Sequence, residues 1–393
     1  MHTNCVKLSR YLKEGIKINR RDFFEKIGVI GLTPFLVSAT GTVSCGKEEK
    51  FKGKGMSLRY EVKRILLKHT WTISRGSSDY KDNVIVYLEK DRITGIGEAA
   101  PNTRYNETTE STIKVIEKAK ELFKEIDPWK YYDAGMEIKN LCDGQTAAKA
   151  ALDIALMDWI GKALGVPLFK LWGLDPHKTP ITSFSIGIDT PEVVAQKTRE
   201  AKPYPILKVK VGRENDEEII RAVRSVTDKP IRVDANEGWK DKEIAIKKIE
   251  WLVKQGVEFI EQPMPAEMLE ETKWLKERVE VPIIADEAVK TAADIPKLAE
   301  VYDGINIKLM KAGGLQEAHR MITLAKTLGM KVMMGCMIET SVGISAAAQL
   351  SPLIDYADLD GNLLIKNDPF TGVKVEKGKL ILNDKPGIGV EKV

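Results

Sequence analysis

Ile206-Leu207-Lys208-Val209-Lys210-Val211-Gly212 is the stretch that decides the fold, because it is an apolar run interrupted twice by lysine. On a β-strand, residues two apart point to the same face, so Lys208 and Lys210 share one face. The Val and Ile content and the final glycine are typical of a buried parallel strand, where an unpaired charge is costly. Two surface lysines on an edge strand are the alternative, and the residues that follow decide between these interpretations.

Length and composition describe a globular protein with more than one domain. The chain has 393 residues, of which 43% are hydrophobic, and this is enough for two or three domains with a substantial core. The net charge of +4 is small for this size, and the lysines are interspersed with acids. The sequence therefore predicts no nucleic-acid partner and no polybasic membrane surface. The cysteines form no Cys-x-x-Cys pair, which argues against a zinc site.

Residues 1–55 are predicted to lie outside the fold, as an export leader and tether. Arg20 and Arg21 precede an apolar run at residues 27–39, and the following Thr-Val-Ser-Cys45 resembles a lipobox. This arrangement is typical of a twin-arginine leader, with Cys45 as the lipidated first residue of the mature protein. The sequence thus predicts an exported protein, either periplasmic or a membrane-anchored lipoprotein. An amphipathic N-terminal helix with a chance Arg-Arg pair is the alternative.

Residues 56–178 are predicted to form an α+β domain, because three strand patterns precede a run of helical patterns. Turn residues at Arg75–Ser78 and Lys90–Arg92 separate the strands. The predicted strands are Leu58–Trp71, Asn83–Glu89 and Ile93–Ala99, and the predicted helices are Glu110–Glu125, Gly135–Leu141 and Gln145–Leu164.

Residues 179–368 change to a regular alternation of strands and helices. Eight apolar strand patterns recur at a spacing of about 25 residues, which is typical of a barrel of parallel strands rather than an open sheet. The predicted strands are Ile181–Gly187, Ile206–Val211, Ile231–Ala235, Phe259–Glu261, Pro282–Ala285, Gly304–Leu309, Lys331–Gly335 and Tyr356–Leu359. The tail, residues 369–393, returns to short strands and turns and is predicted to pack against the first domain.

Charged side chains stand at the ends of successive barrel strands. In a parallel barrel all these ends meet at one mouth, where active sites lie. An acid at a strand end is by itself most often a helix N-cap, but three carboxylates in one mouth require a cation. Carboxylate oxygens with open positions suit Mg²⁺. The charged residues are Lys208, Lys210, Asp234, Glu261, Asp286 and Lys308, and from Lys210 onward successive members lie 22 to 27 residues apart.

This constellation resembles the enolase superfamily, and within it the muconate-lactonizing-enzyme subgroup. The resemblance covers about residues 57–393 and implies a (β/α)7β modified TIM barrel, with an α+β capping domain formed by the N-terminal region plus the C-terminal tail. It also implies one Mg²⁺ per active site, held by Asp234, Glu261 and Asp286. The residues that carry it are Lys208-Val-Lys210, the three acids, Ile-Lys308 and the strand end Gly335-Cys-Met-Ile-Glu339-Thr.

The resemblance implies an isomerase that moves a proton at the carbon beside a substrate carboxylate. One of Lys210 and Lys308 takes the proton and the other returns one on the opposite face, while the metal and Lys208 stabilise the enediolate. The resemblance further implies that Met337 and Ile338, after the seventh barrel strand, contact the substrate. Glu287 is either an outer partner of the metal site or an acid at a helix start.

Two further features indicate the substrate. Asp358 and Asp360 lie at i and i+2 and resemble the Asp-x-Asp motif of dipeptide epimerases, in which the pair holds the α-ammonium. Arg75, in the loop between the first two strands, stands where such enzymes bind a glutamyl carboxylate. The resemblance thus implies epimerisation of the C-terminal residue of a dipeptide, with L-Ala-L-Glu and L-Ala-D-Glu as leading substrates. A solvated turn and a solvated arginine are the alternatives. Export agrees with this reading, because the periplasm is where peptidoglycan peptides are released.

Other activities share this scaffold. A cycloisomerase, an o-succinylbenzoate synthase or an N-acylamino acid racemase would need the same metal site, but its substrate offers no ammonium to an aspartate pair. A non-catalytic exported peptide-binding protein is a further alternative, although binding alone requires neither lysine. Barrels of this kind often associate, so the sequence leaves both a monomer and a homo-oligomer open.

Overall fold

Three antiparallel strands open the part of the chain that this computed structural model describes, residues 55–393. They are β1 (Ser57–Ile73), β2 (Gly76–Lys90) and β3 (Ile93–Ala99), in the order β1-β2-β3. The β1–β2 hairpin turns over only two residues, because Ile73 already pairs with Gly76. The turn predicted at Arg75–Ser78 is therefore shorter than expected, and residues 76–78 belong to β2.

Four helices follow, and the first and third of them pack against this sheet. They are α1 (Thr109–Glu125), α2 (Tyr131–Lys139), α3 (Thr146–Leu164) and the short α4 (Leu168–Leu171). The Ala-rich α3 is buried continuously from Ala147 to Gly161. It packs so closely on β3 that a Cβ at Gly97 would lie 1.9 Å from the carbonyl oxygen of Ala151. Glycine at this position is what permits the contact between sheet and helix.

Eight parallel strands, β4 to β11, then form a single sheet in chain order. A parallel bridge between Thr182 and Ala357 brings the first strand beside the last, so the sheet is a nearly closed barrel. The predicted barrel with a capping domain is confirmed, and the strand predictions differ from the structure only by short stretches at their ends. The strands are β4 (Phe184–Ile186), β5 (Leu207–Lys210), β6 (Ile231–Asp234), β7 (Val257–Glu261), β8 (Ile283–Ala285), β9 (Gly304–Lys308), β10 (Lys331–Gly335) and β11 (Tyr356–Asp358).

Helices connect the barrel strands and surround them. Their apolar faces pack against the barrel, as the alternation of strands and helices predicted. They are α5 (Pro191–Glu200), α6 (Asp216–Arg224), α7 (Lys242–Lys254), α8 (Leu269–Lys276), α9 (Ile295–Leu298), α10 (Leu309–Ala312), α11 (Leu315–Thr327) and α12 (Ser341–Ala348).

The C-terminal tail returns to the first domain, as predicted. The backbone nitrogen of Ile388 donates a hydrogen bond of 2.8 Å to Asp158 on α3. Within the tail, β12 (Phe370–Thr371) pairs with β15 (Glu391–Lys392), and β13 (Lys374–Glu376) pairs with β14 (Lys379–Ile381).

Two further features concern the membrane and the leader. None of the helices within residues 55–393 combines the length and the apolar character needed to cross a membrane. The predicted leader, with Arg20, Arg21 and Cys45, lies outside the described residues.

Two buried acids of the capping domain hold the barrel directly. Asp153 on α3 accepts hydrogen bonds from the backbone nitrogens of Leu315 and Gln316, at the start of α11. Glu98 on β3 accepts from the backbone nitrogen of Thr340, just before α12. Each acid satisfies N–H groups that a helix start leaves unpaired. The capping domain is therefore fixed over the barrel mouth at two separate helices.

Candidate active site

The pairing register of the barrel brings the predicted charged residues to one level. Lys210 pairs with Asp234 across β5 and β6, and Asp234 pairs with Glu261 across β6 and β7. On the other side, Gly335 of β10 pairs with both Lys308 and Asp358. The carboxyl ends of these strands therefore carry a ring of charge at the mouth that the capping domain covers.

Asp234, Glu261 and Asp286 form a buried carboxylate cluster, with one ligand oxygen of each within 4.8 Å of the others. Burial and the neighbouring Asp234 raise the pKa of Glu261 to about 8. Glu261 Oε2 is buried and accepts no hydrogen bond from the described residues, although Lys208 Nζ lies 2.7 Å away. Carboxylate oxygens are the ligands that Mg²⁺ prefers, and Glu261 Oε2 is a buried oxygen of this kind without a hydrogen bond. The three residues thus fit the metal predicted for them.

Lys208 lies at the centre of the acids. Its Nζ lies 2.7 Å from both Glu261 Oε2 and Asp358 Oδ2, and 3.2 Å from Asp234 Oδ2. Burial disfavours its charge, yet the three carboxylates hold the pKa of Lys208 well above its ordinary value. This lysine is therefore a fixed positive charge, suited to stabilising negative charge rather than to accepting a proton.

Lys210 and Lys308 face the cavity from opposite sides. They come from β5 and β9, which are four strands apart in an eight-stranded barrel. Lys210 Nζ lies 2.6 Å from Asp234 Oδ2, and Lys308 Nζ lies 2.7 Å from Asp286 Oδ2. Each lysine therefore contacts one end of the carboxylate cluster, and both line the same cavity.

Two residues that the sequence analysis did not single out position the acids. Lys311 Nζ lies 2.5 Å from Asp286 Oδ1 and also donates to the backbone oxygen of Asp286. Asn306 Nδ2 donates a hydrogen bond of 2.7 Å to Glu261 Oε1. The position of Asn306 two residues before Lys308 on a strand was a usable signal, because it places both on one face. Lys311 lies on a helix and gave no such signal.

Asp358 and Asp360 are buried, and both line the cavity. Ser183 Oγ donates to Asp358 Oδ1 at 2.6 Å, and the backbone nitrogen of Ser185 donates to Asp360 Oδ2 at 2.6 Å. Burial and the adjacent Asp358 raise the pKa of Asp360 to about 7. Lys208 neutralises only one of the two carboxylates, so the pair is suited to binding a further cation.

Arg75 lies in the cavity wall, but its guanidinium is already paired. It donates to Glu287 Oε1 at 2.8 Å, to Glu237 Oε2 at 3.1 Å and to the backbone oxygen of Asn236 at 2.9 Å. Glu287 thus contacts Arg75 rather than serving only as a helix-start acid. The binding of a substrate carboxylate by Arg75 stays a prediction.

Met337 and Ile338 line the wall of the same cavity, and their contact with a substrate stays a prediction. The cavity lies between the capping domain, which supplies Arg75 and Asn83, and the barrel mouth, which supplies Lys210 and Lys308.

Two family models match the chain. The model described as mandelate racemase/muconate lactonizing enzyme, N-terminal domain, matches residues 60–173. The model described as enolase C-terminal domain-like matches residues 192–392.

Curated relatives and solved structures resemble nearly the whole described chain. An L-Ala-D/L-Glu epimerase of Bacteroides thetaiotaomicron is 50% identical, over 87% of this chain and 89% of the relative. An L-Ala-D/L-amino acid epimerase of Pedosphaera parvula is 42% identical, over 84% and 97%. A dipeptide epimerase of Enterococcus faecalis, in complex with Mg and L-Leu-L-Tyr, superposes with a TM-score of 0.81 at 34% identity, covering 86% of this chain and 99% of that one.

Proposed function

Because this chain belongs to the enolase superfamily, in its mandelate racemase/muconate lactonizing enzyme branch, we propose that it is a dipeptide epimerase. It inverts the α-carbon of the C-terminal residue of a dipeptide. The observation that carries the proposal is one cavity that holds two opposed lysines and an aspartate pair beside a carboxylate cluster.

The lysines perform a two-sided proton transfer. An unprotonated Nζ of Lys210 or Lys308 takes the proton of the α-carbon, and the electron pair of the broken C–H bond stays on that carbon and its carboxylate. The protonated lysine on the opposite side donates a proton to the other face, which inverts the centre. The fixed charge of Lys208, 2.7 Å from Glu261, offsets negative charge at this end of the cavity.

Asp234, Glu261 and Asp286 would hold Mg²⁺. When bound, Mg²⁺ would accept the substrate carboxylate, offset the negative charge that develops there and disfavour the protonated form of nearby lysines. Asn306 and Lys311 hold Glu261 and Asp286 in place for this role.

Asp358 and Asp360 would bind the α-ammonium of the dipeptide and so orient it. Two buried carboxylates with one cationic partner leave negative charge that an ammonium can neutralise. Met337 and Ile338 supply an apolar wall. We expect L-Ala-L-Glu and L-Ala-D-Glu as substrates, which agrees with the name of the Bacteroides relative.

The experiment that tests the proposal is proton NMR in D₂O with Mg²⁺ and a panel of dipeptides. Loss of the α-proton signal of the C-terminal residue, together with appearance of the second epimer, is the expected result. A panel without any α-proton exchange would contradict epimerase activity. Binding of the same dipeptides without exchange would instead support a non-catalytic peptide-binding protein.

The same site could serve a cycloisomerase, an o-succinylbenzoate synthase or an N-acylamino acid racemase. Substrates of those enzymes carry no α-ammonium, and their anionic groups would be repelled by Asp358 and Asp360. Dipeptides with a free amino terminus are therefore expected to react far faster than the corresponding N-acetyl compounds.

We further propose that the chain is exported and lipidated at Cys45. Support comes from Arg20-Arg21, the apolar run after them and the lipobox-like residues before Cys45. Labelled palmitate should be incorporated into the wild-type protein but not into Cys45→Ala, and an unlabelled wild-type protein would contradict lipidation. Association into homo-oligomers is also a prediction, which light scattering would check.

A further inference from the structure

Four cationic side chains line the cavity, and three of them have acidic partners. Lys210 pairs with Asp234 and Lys308 with Asp286, each at less than 3 Å. The third, Arg75, pairs with two glutamates. The fourth is Lys81 on β2, which lines the cavity but forms no side-chain hydrogen bond or ion pair within residues 55–393. The cavity therefore contains one cation, Lys81, that has no acidic partner within residues 55–393.

The acids next to Lys81 in the sequence form hydrogen bonds or ion pairs with other residues. Asp79 accepts a hydrogen bond of 2.6 Å from Thr70, and Asp82 pairs with Arg64 at 2.8 Å. Burial, with no opposing carboxylate, lowers the pKa of the Lys81 ammonium. Leaving an ammonium half-buried without a partner is costly unless a ligand supplies the counter-charge.

The strand geometry directs Lys81 to the substrate side of the mouth. Asn83 lies two residues further along β2 and shares its face. Its Nδ2 donates a hydrogen bond of 2.9 Å to the backbone oxygen of Ile338, in the cavity wall. Lys81 thus stands beside the barrel loop that contains Met337 and Ile338.

We propose that Lys81 binds the side-chain carboxylate of the C-terminal residue of the substrate and makes the enzyme selective for acidic dipeptides. This inference rests on the proposed epimerase function. When Asp358 and Asp360 hold the α-ammonium and the carboxylate cluster holds the metal, Lys81 is the cation of the cavity that still has no acidic partner among the described residues. An acidic side chain of the substrate pairs with it. Arg75 shapes the same wall, but its charge is already neutralised by Glu237 and Glu287.

If Lys81 binds the side-chain carboxylate, its replacement should slow the reaction of an acidic substrate but not that of a neutral substrate of the same shape. A charge-assisted hydrogen bond in a partly buried site changes binding by about 10- to 100-fold. Replacement of Lys81 by methionine, which keeps an unbranched chain, is therefore expected to lower kcat/KM for L-Ala-L-Glu by about that factor. The kcat/KM for L-Ala-L-Gln, in which an amide replaces the side-chain carboxylate, should change by less than about threefold.

The experiment measures α-proton exchange of L-Ala-L-Glu and L-Ala-L-Gln by the Mg²⁺-loaded wild type, Lys81→Met, Lys81→Arg and Arg75→Gln. Lys63→Met is the matched control, because Lys63 lies on the adjacent strand β1 and is paired with Glu61 outside the cavity. The expected result is a selective loss for L-Ala-L-Glu in Lys81→Met, substantial recovery in Lys81→Arg, and no change in the control.

Three outcomes would overturn the inference. Equal losses for both substrates would assign Lys81 a structural role only. Unchanged L-Ala-L-Glu turnover in Lys81→Met, with a selective loss in Arg75→Gln, would assign the carboxylate to Arg75. If the wild type exchanged the α-proton of neither dipeptide, the proposed function would fail and this inference with it. If the wild type exchanged L-Ala-L-Gln normally, the proposed function would stand, and a failure would concern Lys81 alone.

Discussion

Glu98 of the capping domain accepts two hydrogen bonds from Thr340 of the barrel, one from its backbone nitrogen at 2.9 Å and one from its hydroxyl at 2.7 Å. Glu98 Oε2 also accepts from the backbone nitrogen of Gly343 at 2.9 Å. The carboxylate is fully buried and lies at the N-terminus of α12, where negative charge is favoured. This contact links the domain that covers the site to the strand end that carries Met337 and Ile338.

Glu98→Gln should lower the free energy of unfolding by about 2–4 kcal/mol, because an amide places donors against the N–H groups of Thr340 and Gly343. Chemical denaturation followed by circular dichroism measures the change. Glu89→Gln, on the same sheet but in an exposed ion pair with Arg59, is the control and should change stability by less than about 0.5 kcal/mol. Equal effects of the two substitutions would refute the buried contact as a source of stability.

Asn306→Leu should weaken Mg²⁺ binding by about 10- to 100-fold, because Glu261 loses the hydrogen bond that orients its carboxylate. Asn306 Oδ1 has no hydrogen-bond partner among the described residues, so the only hydrogen bond that the leucine side chain removes is the one to Glu261 Oε1, and the fold should persist. Titration calorimetry with Mg²⁺ measures the affinity. Asn140→Leu, at an exposed position, serves as the control. Unaltered Mg²⁺ affinity in Asn306→Leu would show that Asn306 does not support the metal site.

Lys210→Ala and Lys308→Ala should each reduce epimerisation by about 10²- to 10⁴-fold, because inversion requires a proton donor on one face and an acceptor on the other. Since the two lysines come from opposite sides of the barrel, each variant should retain α-proton exchange for one epimer only. NMR in D₂O, started separately from L-Ala-L-Glu and L-Ala-D-Glu, measures this. If both variants retained exchange for the same epimer, the two-sided mechanism would be contradicted.

Asp360→Asn should lower kcat/KM for L-Ala-L-Glu by about 100-fold or more, because the α-ammonium loses a buried counter-charge. N-acetyl-L-glutamate, which has no ammonium, should be affected much less. Asp360 is the better probe of the pair, since Asp358 also contacts Lys208 at 2.7 Å. Parallel losses for free and acetylated substrates would show that Asp360 acts on the fold rather than on the ammonium.

The barrel strands and most of the ring of charge could be predicted from the sequence. The run from Leu207 to Lys210 and the acids at later strand ends recur at a spacing that a strand-helix repeat imposes. Side-chain alternation along a strand then decides which residues face the mouth, as it does for Lys208 and Lys210. These features depend on local backbone geometry and on a repeated connection length.

The partners of each charge were decided only by the tertiary structure. Arg75 meets Glu287, which is 212 residues away along the chain, whereas Lys81 meets no acid among the described residues. Both are single polar residues in a hairpin of the capping domain, and their sequence surroundings do not distinguish them. Which of the two keeps a free charge depends on how the capping domain docks on the barrel, because hydrogen bonding and desolvation are set by groups from distant parts of the chain.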